Sequence, residues 1–195
     1  MVKKLKKMGY QINFKEVENF ASGKNILRTH IAKALLNHKE NKPKLSKTVK
    51  KELLVTNVLL ALTSKGKKAY VPRKQMPIRT AIALIKQSGG ISILSHPGTH
   101  KKDFKKNLSA SFLKKLKKSG LNGIEALAGD HTASQNKYFF TLAKKLDFVI
   151  SAGSDFHGRV HPKYKLGMLK APSWVLPKLK KAIKSARTLH SSPSA

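Results

Sequence analysis

The chain has 195 residues, 40% of them hydrophobic, which is enough for one domain or one domain with an appendage. Its apolar runs fall far short of the ~20 residues that a membrane span needs, the basic start Met1–Met8 runs into Gly9-Tyr10-Gln11 rather than an apolar stretch and so does not read as a secretory signal, and the absence of cysteine excludes disulfides and thiolate metal sites. Lys and Arg total 41 against 9 Asp and Glu, a net charge of +32, so the chain repels itself and attracts polyanions.

Residues 1–62 read as helical. Asn13 with Glu16 three residues on forms a helix start, and Phe14, Val17 and Phe20/Ala21 share one stripe until Gly23. Arg28 to Leu36 repeats the pattern through Ile31, Ala34 and Leu35. The interval Asn37–Lys47, with Pro43, is polar and loop-like. Glu52–Leu62 is apolar with little alternation and reads as a buried helix, and residues 63–69 form a connector. Pro77 in a first turn opens the next helix, with Ile78, Ala81, Ile82 and Ile85 as its stripe and Gly89-Gly90 as its end.

Residues 91–95 read as a short buried strand ending at His96-Pro97-Gly98. A helix follows from Ser109 to Ser119, with Phe112, Leu113 and Leu116 inward. Residues 123–127 make a second strand, Thr132 to Gln135 has the form of a capping box, and Phe148 to Ser151 is a third strand. Each pair of strands is separated by one amphipathic helix. This βαβαβ order predicts an α/β fold with a parallel sheet and right-handed crossovers. Leu166–Leu169 reads as a further short strand, Pro177–Arg187 as a last helix, and residues 191–195 as a frayed end.

Parallel sheets keep ligands at the carboxyl ends of their strands. His96 follows the first strand, Asp130 and His131 follow the second, and Asp155 and His157 follow the third. His and Asp without Cys suit Mn, Fe or Zn, and such a centre could generate hydroxide and neutralise charge on a phosphoryl oxygen. Each residue also has a plainer reading. His-Pro-Gly serves as a turn, Ser-Asp-Phe-His-Gly as a helix cap with an exposed imidazole, His131 as a capping-loop residue, and Glu125 as a supporting acid or a strand residue. His30, His38, His100, His161 and His190 read as solvated. The lysine excess, spread through pairs such as Lys101-Lys102, Lys105-Lys106 and Lys180-Lys181, fits either a solvated surface or attraction for polyanions.

Several segments together resemble the PHP (polymerase and histidinol phosphatase) family, in the branch of nucleoside 3′,5′-bisphosphate phosphatases and 5′–3′ exoribonucleases. They are Lys68-Ala69-Tyr70-Val71-Pro72-Arg73-Lys74, Ala81-Ile82-Ala83-Leu84-Ile85, Gly89-Gly90, Leu94-Ser95-His96-Pro97-Gly98, Gly123-Ile124-Glu125 and Gly153-Ser154-Asp155-Phe156-His157-Gly158. Arg28-Thr29-His30-Ile31-Ala32-Lys33-Ala34-Leu35 looks like that branch's Gly-Arg-Pro-His-Ile-Ala-Arg-Ala-Leu segment, with Leu27 and Thr29 in place of its Gly and Pro.

The resemblance implies part of a distorted (β/α)7 barrel, with an all-helical insertion segment over 1–68, the C-terminal barrel part over 69–187, and a frayed tail over 188–195. It implies metal ligation by His96, Asp155 and His157, with Mn²⁺ first and Zn²⁺, Fe²⁺ or Mg²⁺ as alternatives. It gives Arg28 and His30 to substrate phosphate and names nucleotide or RNA phosphate as the substrate; apart from the resemblance, the cytoplasm with no membrane partner is the default expectation for a sequence that reads without a signal or span. The family begins with a His-x-His strand, an Asp-His pair and a Glu that supply most of the ligands, and none of these occurs here. The expectation is therefore a C-terminal two-thirds, weak or inactive alone. The other reading is a non-catalytic polyanion-binding remnant, or a subunit completed by a separately encoded N-terminal half.

Overall fold

The computed structural model describes residues 1–99 and 108–191; His100, the lysine pairs at 101–102 and 105–106, and residues 192–195 lie outside the described residues. The chain folds as two compact units, the first Met1–Lys74 with Arg159–His161 and the second Gln75–Gly158 with Pro162–Ala195.

The first unit is helical. It contains α1 (Val2–Lys7), α2 (Phe14–Asn19), α3 (Arg28–Asn37), α4 (Lys42–Val49) and α5 (Val55–Leu62). Helix α2 starts on the reciprocal cap expected from its sequence: Asn13 Oδ1 accepts the Glu16 N–H at 2.9 Å, and Glu16 Oε2 accepts the Asn13 N–H at 3.1 Å. Its apolar stripe is narrower than expected, with Val17 buried and Phe14 exposed. Leu5, Val17, Leu35, Leu45, Val58 and Leu62 form the centre of the core.

The expected loop at 37–47 is instead a 3-10 turn, Lys39–Asn41, followed by α4. Pro43 lies in the first turn of α4, where its missing N–H leaves no hydrogen bond unmade. Asn41 looks like a loop residue by type but is buried. Its amide accepts the Gln11 N–H at 2.8 Å and donates to Gln11 O at 2.7 Å and Leu35 O at 3.0 Å. His38, expected in solvent, bonds Glu16 Oε2 through Nε2 at 2.8 Å.

The second unit contains α6 (Ile78–Gln87), β1 (Ile93–Leu94), α7 (Ala110–Lys118), β2 (Gly123–Ala128), α8 (Ala133–Lys145), β3 (Val149–Gly153) and α9 (Val175–Ser191). The described sheet is parallel, as the alternation of strands and helices predicts, and its order is β1-β2-β3. Ile93 pairs with Gly123, and Gly123 with Val149. Ile82, Leu113, Leu116, Ile124, Phe139, Leu142, Phe148, Ile150 and Val175 fill the core between sheet and helices. Phe112, expected inward, is exposed, as are Ile78 and Ile85 of the α6 stripe.

Strand β1 is shorter than expected because a side chain replaces its ladder: Asn122 Oδ1 accepts the Ser92 N–H at 2.9 Å. At its other end His96 turns the backbone left-handed. The strand expected at Leu166–Leu169 is absent; the chain turns there at Gly167, φ +75°, and Leu166 is exposed. Helix α9 begins two residues before Pro177, which the first turn accommodates, and runs to Ser191. No helix among the described residues is long and apolar enough to cross a membrane.

Candidate functional site

All three strands point their carboxyl ends to one rim of the sheet. At the exit of β1, His96 has φ +24°, and its backbone N–H donates to Glu125 Oε2 at 2.7 Å. Glu125 lies on β2 beside a register shift: it pairs with Ser151, while the next pair is Leu127 with Ala152. Such bulges re-aim side chains at strand ends. The other oxygen of the same carboxylate faces β3, where a Cβ added to Gly153 would lie 2.7 Å from Glu125 Oε1. One acid therefore spans from the exit of β1 to the last residue of β3.

Beyond β3, the Gly129 N–H donates to Gly153 O at 3.0 Å, which ties the two exit loops together. Asp155 has φ +57°. His157 donates from Nδ1 to Asp155 O at 2.6 Å, and the Asp155 carboxylate oxygen Oδ1 lies 3.7 Å from the same nitrogen. This tautomer makes Nε2 the acceptor nitrogen. Left-handed backbone at a residue other than glycine is uncommon and gathers at functional loops. Among the described residues four are of this kind, Lys50, His96, Asp147 and Asp155, and two of them, His96 and Asp155, are candidate ligands on the rim of one sheet.

His131 does something different from ligation. It is buried; Nε2 accepts the Gly98 N–H at 2.9 Å and Nδ1 donates to Asn136 Oδ1 at 3.1 Å. Burial holds its pKa below the ordinary histidine value, so it stays neutral. Gln135 completes the grip by donating to Gly98 O at 2.8 Å. The start of α8 thus holds both the N–H and the C=O of Gly98, two residues after His96. The capping box of Thr132 and Gln135 is legible in the sequence and present in the structure; the second bond of Gln135, to Gly98, is not legible. Asp130 accepts from the Tyr164 hydroxyl, and burial together with this carboxylate pushes the Tyr164 pKa up to about 12.

The donors at the rim fit a divalent cation in kind, since imidazole and carboxylate suit Mn, Fe or Zn. A ligating histidine also characteristically donates its second ring N–H to a carbonyl or carboxylate, as His157 does to Asp155 O. They fall short in number: among the described residues no three His, Asp or Glu side chains are grouped closely enough to hold a metal ion. The structure therefore brings Asp155 and His157 together, and gives the loop of His96 a shared anchor with β3 through Glu125. It does not close the three into one coordination sphere.

The two residues expected to take substrate phosphate lie at the start of α3 in the first unit. Arg28 is exposed, with one guanidinium bond, to Thr63 O at 3.4 Å. His30 is half-buried, and its Nδ1 accepts the Leu27 N–H at 3.2 Å. This imidazole caps its own helix.

The fold is a parallel α/β sheet with an acid–imidazole turn at its carboxyl rim. No family model matches the sequence. The chain is 29% identical over 92 residues to a 3′,5′-nucleoside bisphosphate phosphatase of Chromobacterium violaceum, covering 47% of this chain and 32% of that one. It is 34% identical over 96 residues to a 5′-3′ exoribonuclease of Haemophilus influenzae, covering 47% and 33%. A solved structure from Bifidobacterium adolescentis, described as a metal-dependent phosphoesterase, shares the fold with a TM-score of 0.69 at 23% identity, over 91% of this chain and 58% of that one. The matched segment spans about a third of each of these two curated relatives.

Proposed function

We propose that this chain carries part of the site of a metal-dependent phosphoesterase acting on nucleotide phosphates or RNA 5′-end phosphates. The observation that carries this reading is the rim itself. Two candidate ligands, His96 and Asp155, sit in left-handed backbone at the carboxyl ends of parallel strands, and Glu125 spans the two exits. The names of the two relatives support the substrate class. In this reading His96, Asp155 and His157 are metal ligands, with Mn²⁺ the first candidate and Zn²⁺, Fe²⁺ or Mg²⁺ the others. Arg28 and His30 on α3 are the phosphate-binding pair; the planar guanidinium of Arg28 has donors beyond the one given to Thr63 O.

The described residues group fewer than three ligands. We therefore expect weak or no turnover from these residues alone. The test is hydrolysis of a nucleoside 3′,5′-bisphosphate and a short 5′-phosphorylated RNA with Mn²⁺, alongside Mn²⁺ titration followed by electron paramagnetic resonance. Weak turnover is expected, with Mn²⁺ affinity lowered about tenfold or more by His157→Ala, the scale seen for disrupted metal sites. Robust turnover that disappears in His157→Ala would overturn the partial centre. Unchanged Mn²⁺ affinity in both Asp155→Asn and His157→Ala would overturn the metal assignment.

A second reading, a non-catalytic polyanion-binding remnant or a subunit completed by a separately encoded N-terminal half, is favoured in its first form by the net charge of +32. It predicts RNA binding that survives complete removal of divalent metal.

A further inference from the structure

The second unit has a groove at the other end of β3 from the candidate metal turn. It measures about 910 Å³ and is lined by Phe148, Val149, Ile150 and Trp174. Its walls include Lys144 at the end of α8 and Lys178 and Lys181 on α9. From Val149 to Asp155 the chain advances six residues, or ~20 Å at the rise of a strand, so this groove is separate from the rim.

Its chemistry is that of a surface for single-stranded nucleic acid. Trp174 is half-buried and lies 5.9 Å from the Phe140 ring, centroid to centroid. Lys178 Nζ stands 4.9 Å from the Trp174 centroid, and Lys144 Nζ stands 5.9 Å from that of Phe140. Two lysines therefore flank a pair of aromatic rings in the order Lys144, Phe140, Trp174, Lys178, with Phe140 backing the Trp174 that lines the groove. Asp147 is the one carboxylate lining the groove among the described residues, and it is already engaged at 3.3 Å by Lys117. Three lysines thus face the apolar residues of the groove against a single lining carboxylate. A folded acidic protein would satisfy the lysines and leave the aromatic lining unused; a polynucleotide satisfies both, with phosphates on the ammonium groups and bases on the rings.

We propose that this groove binds single-stranded RNA or DNA, with bases stacked at Trp174 and the backbone held by Lys144, Lys178 and Lys181. The inference does not depend on the phosphoesterase reading, and it is tested in EDTA so that the metal site plays no part. Trp174 is the only tryptophan in the sequence, so its fluorescence reports on the groove directly. Titration with a 12-nucleotide oligo(U), and separately oligo(dT), is expected to quench it saturably. Lys178→Glu with Lys181→Glu should weaken binding about tenfold or more and make the salt slope shallower by about 1.4, as expected for two lost phosphate contacts on a single strand. Trp174→Leu, followed by anisotropy of a labelled oligonucleotide, should weaken it about fivefold or more.

The control is Lys114→Glu with Lys118→Glu on α7, the same change in net charge on a different exposed face. An equal loss in that control would overturn the proposal, because binding would then follow net charge alone. Polyglutamate quenching Trp174 as tightly as oligo(U) would overturn it too, because the aromatic lining would then confer no preference. Circular dichroism melts of all variants separate lost binding from lost folding.

Discussion

At the scale of single residues, the rim is held by close backbone approaches as much as by side chains. A methyl added at Gly129 would lie 2.4 Å from the carbonyl oxygen of Ser154 and 3.1 Å from its Cα, and neither can move without displacing the loop of Asp155. At Gly153 the added methyl would meet only the carboxylate end of Glu125, at 2.7 Å. That end can swing away, but it would then release the N–H of His96. The two substitutions therefore separate stability from site geometry. Gly129→Ala should cost ~1–3 kcal/mol in urea denaturation, the usual range for overpacking. Gly153→Ala should cost clearly less, yet loosen Mn²⁺ binding measurably. The reverse order in stability would show that the Ser154 carbonyl yields more easily than the Glu125 side chain. The placement of His96, Asp155 and His157 just past strand ends was legible in the sequence because each follows an apolar run. The left-handed backbone of His96 and Asp155 was not, because residue type there favours no such conformation strongly. The hold of Glu125 on a backbone N–H 29 residues away was also hidden, since nothing in the spacing signals a bulge.

At the scale of elements, local rules succeeded where the chain obeys them locally. Asn13 and Glu16 predict the start of α2 from four residues, and the structure shows both reciprocal bonds. The segment 37–47 failed because what decides it is tertiary: Asn41 is drawn into the core of the first unit by Gln11 and Leu35, and Pro43 then serves as a helix opener. Helix α2 carries a prediction of its own. Asn13→Ala removes a capping acceptor and should cost about 1 kcal/mol in unfolding free energy. The carboxyl of Glu16 is held below the ordinary glutamate range, first by its hydrogen bond with His38 and then by the Asn13 N–H. A carboxylate whose pKa is lower in the folded than in the unfolded chain stabilises the fold above its unfolded value. That contribution is lost as pH falls through the folded value. Glu16→Gln should therefore flatten the acid limb of the stability curve below about pH 4, read by urea midpoints at successive pH values. An unchanged acid limb would show that the pair with His38 contributes nothing in solution.

At the scale of the whole molecule, the alternation of apolar runs and amphipathic stripes made the parallel direction of the three strands readable, because a helix between two strands returns the chain to the same end of the sheet. A closed barrel was not readable in the same way. Closure requires partners for both edge strands, and the described residues form an open order with β1 and β3 at the edges. Charge is the other property that belongs to the molecule as a whole. With 41 basic and 9 acidic residues, each lysine has many like neighbours and few opposite ones. Attractive pairs such as Lys117 with Asp147 are exposed, and exposed pairs contribute little. Screening should therefore remove more repulsion than attraction as the Debye length falls from about 30 Å at 0.01 M to about 8 Å at 0.15 M ionic strength. Sodium chloride is expected to raise the urea midpoint over that range, in contrast to a protein whose surface charges balance. Inorganic polyphosphate at micromolar concentration should raise it further, because a bound polyanion neutralises several lysines at once and stabilises the state that binds it. A midpoint that falls with salt would show that specific ion pairs outweigh the net repulsion. A polyphosphate effect no larger than that of salt at equal ionic strength would place the lysines on a uniformly solvated surface.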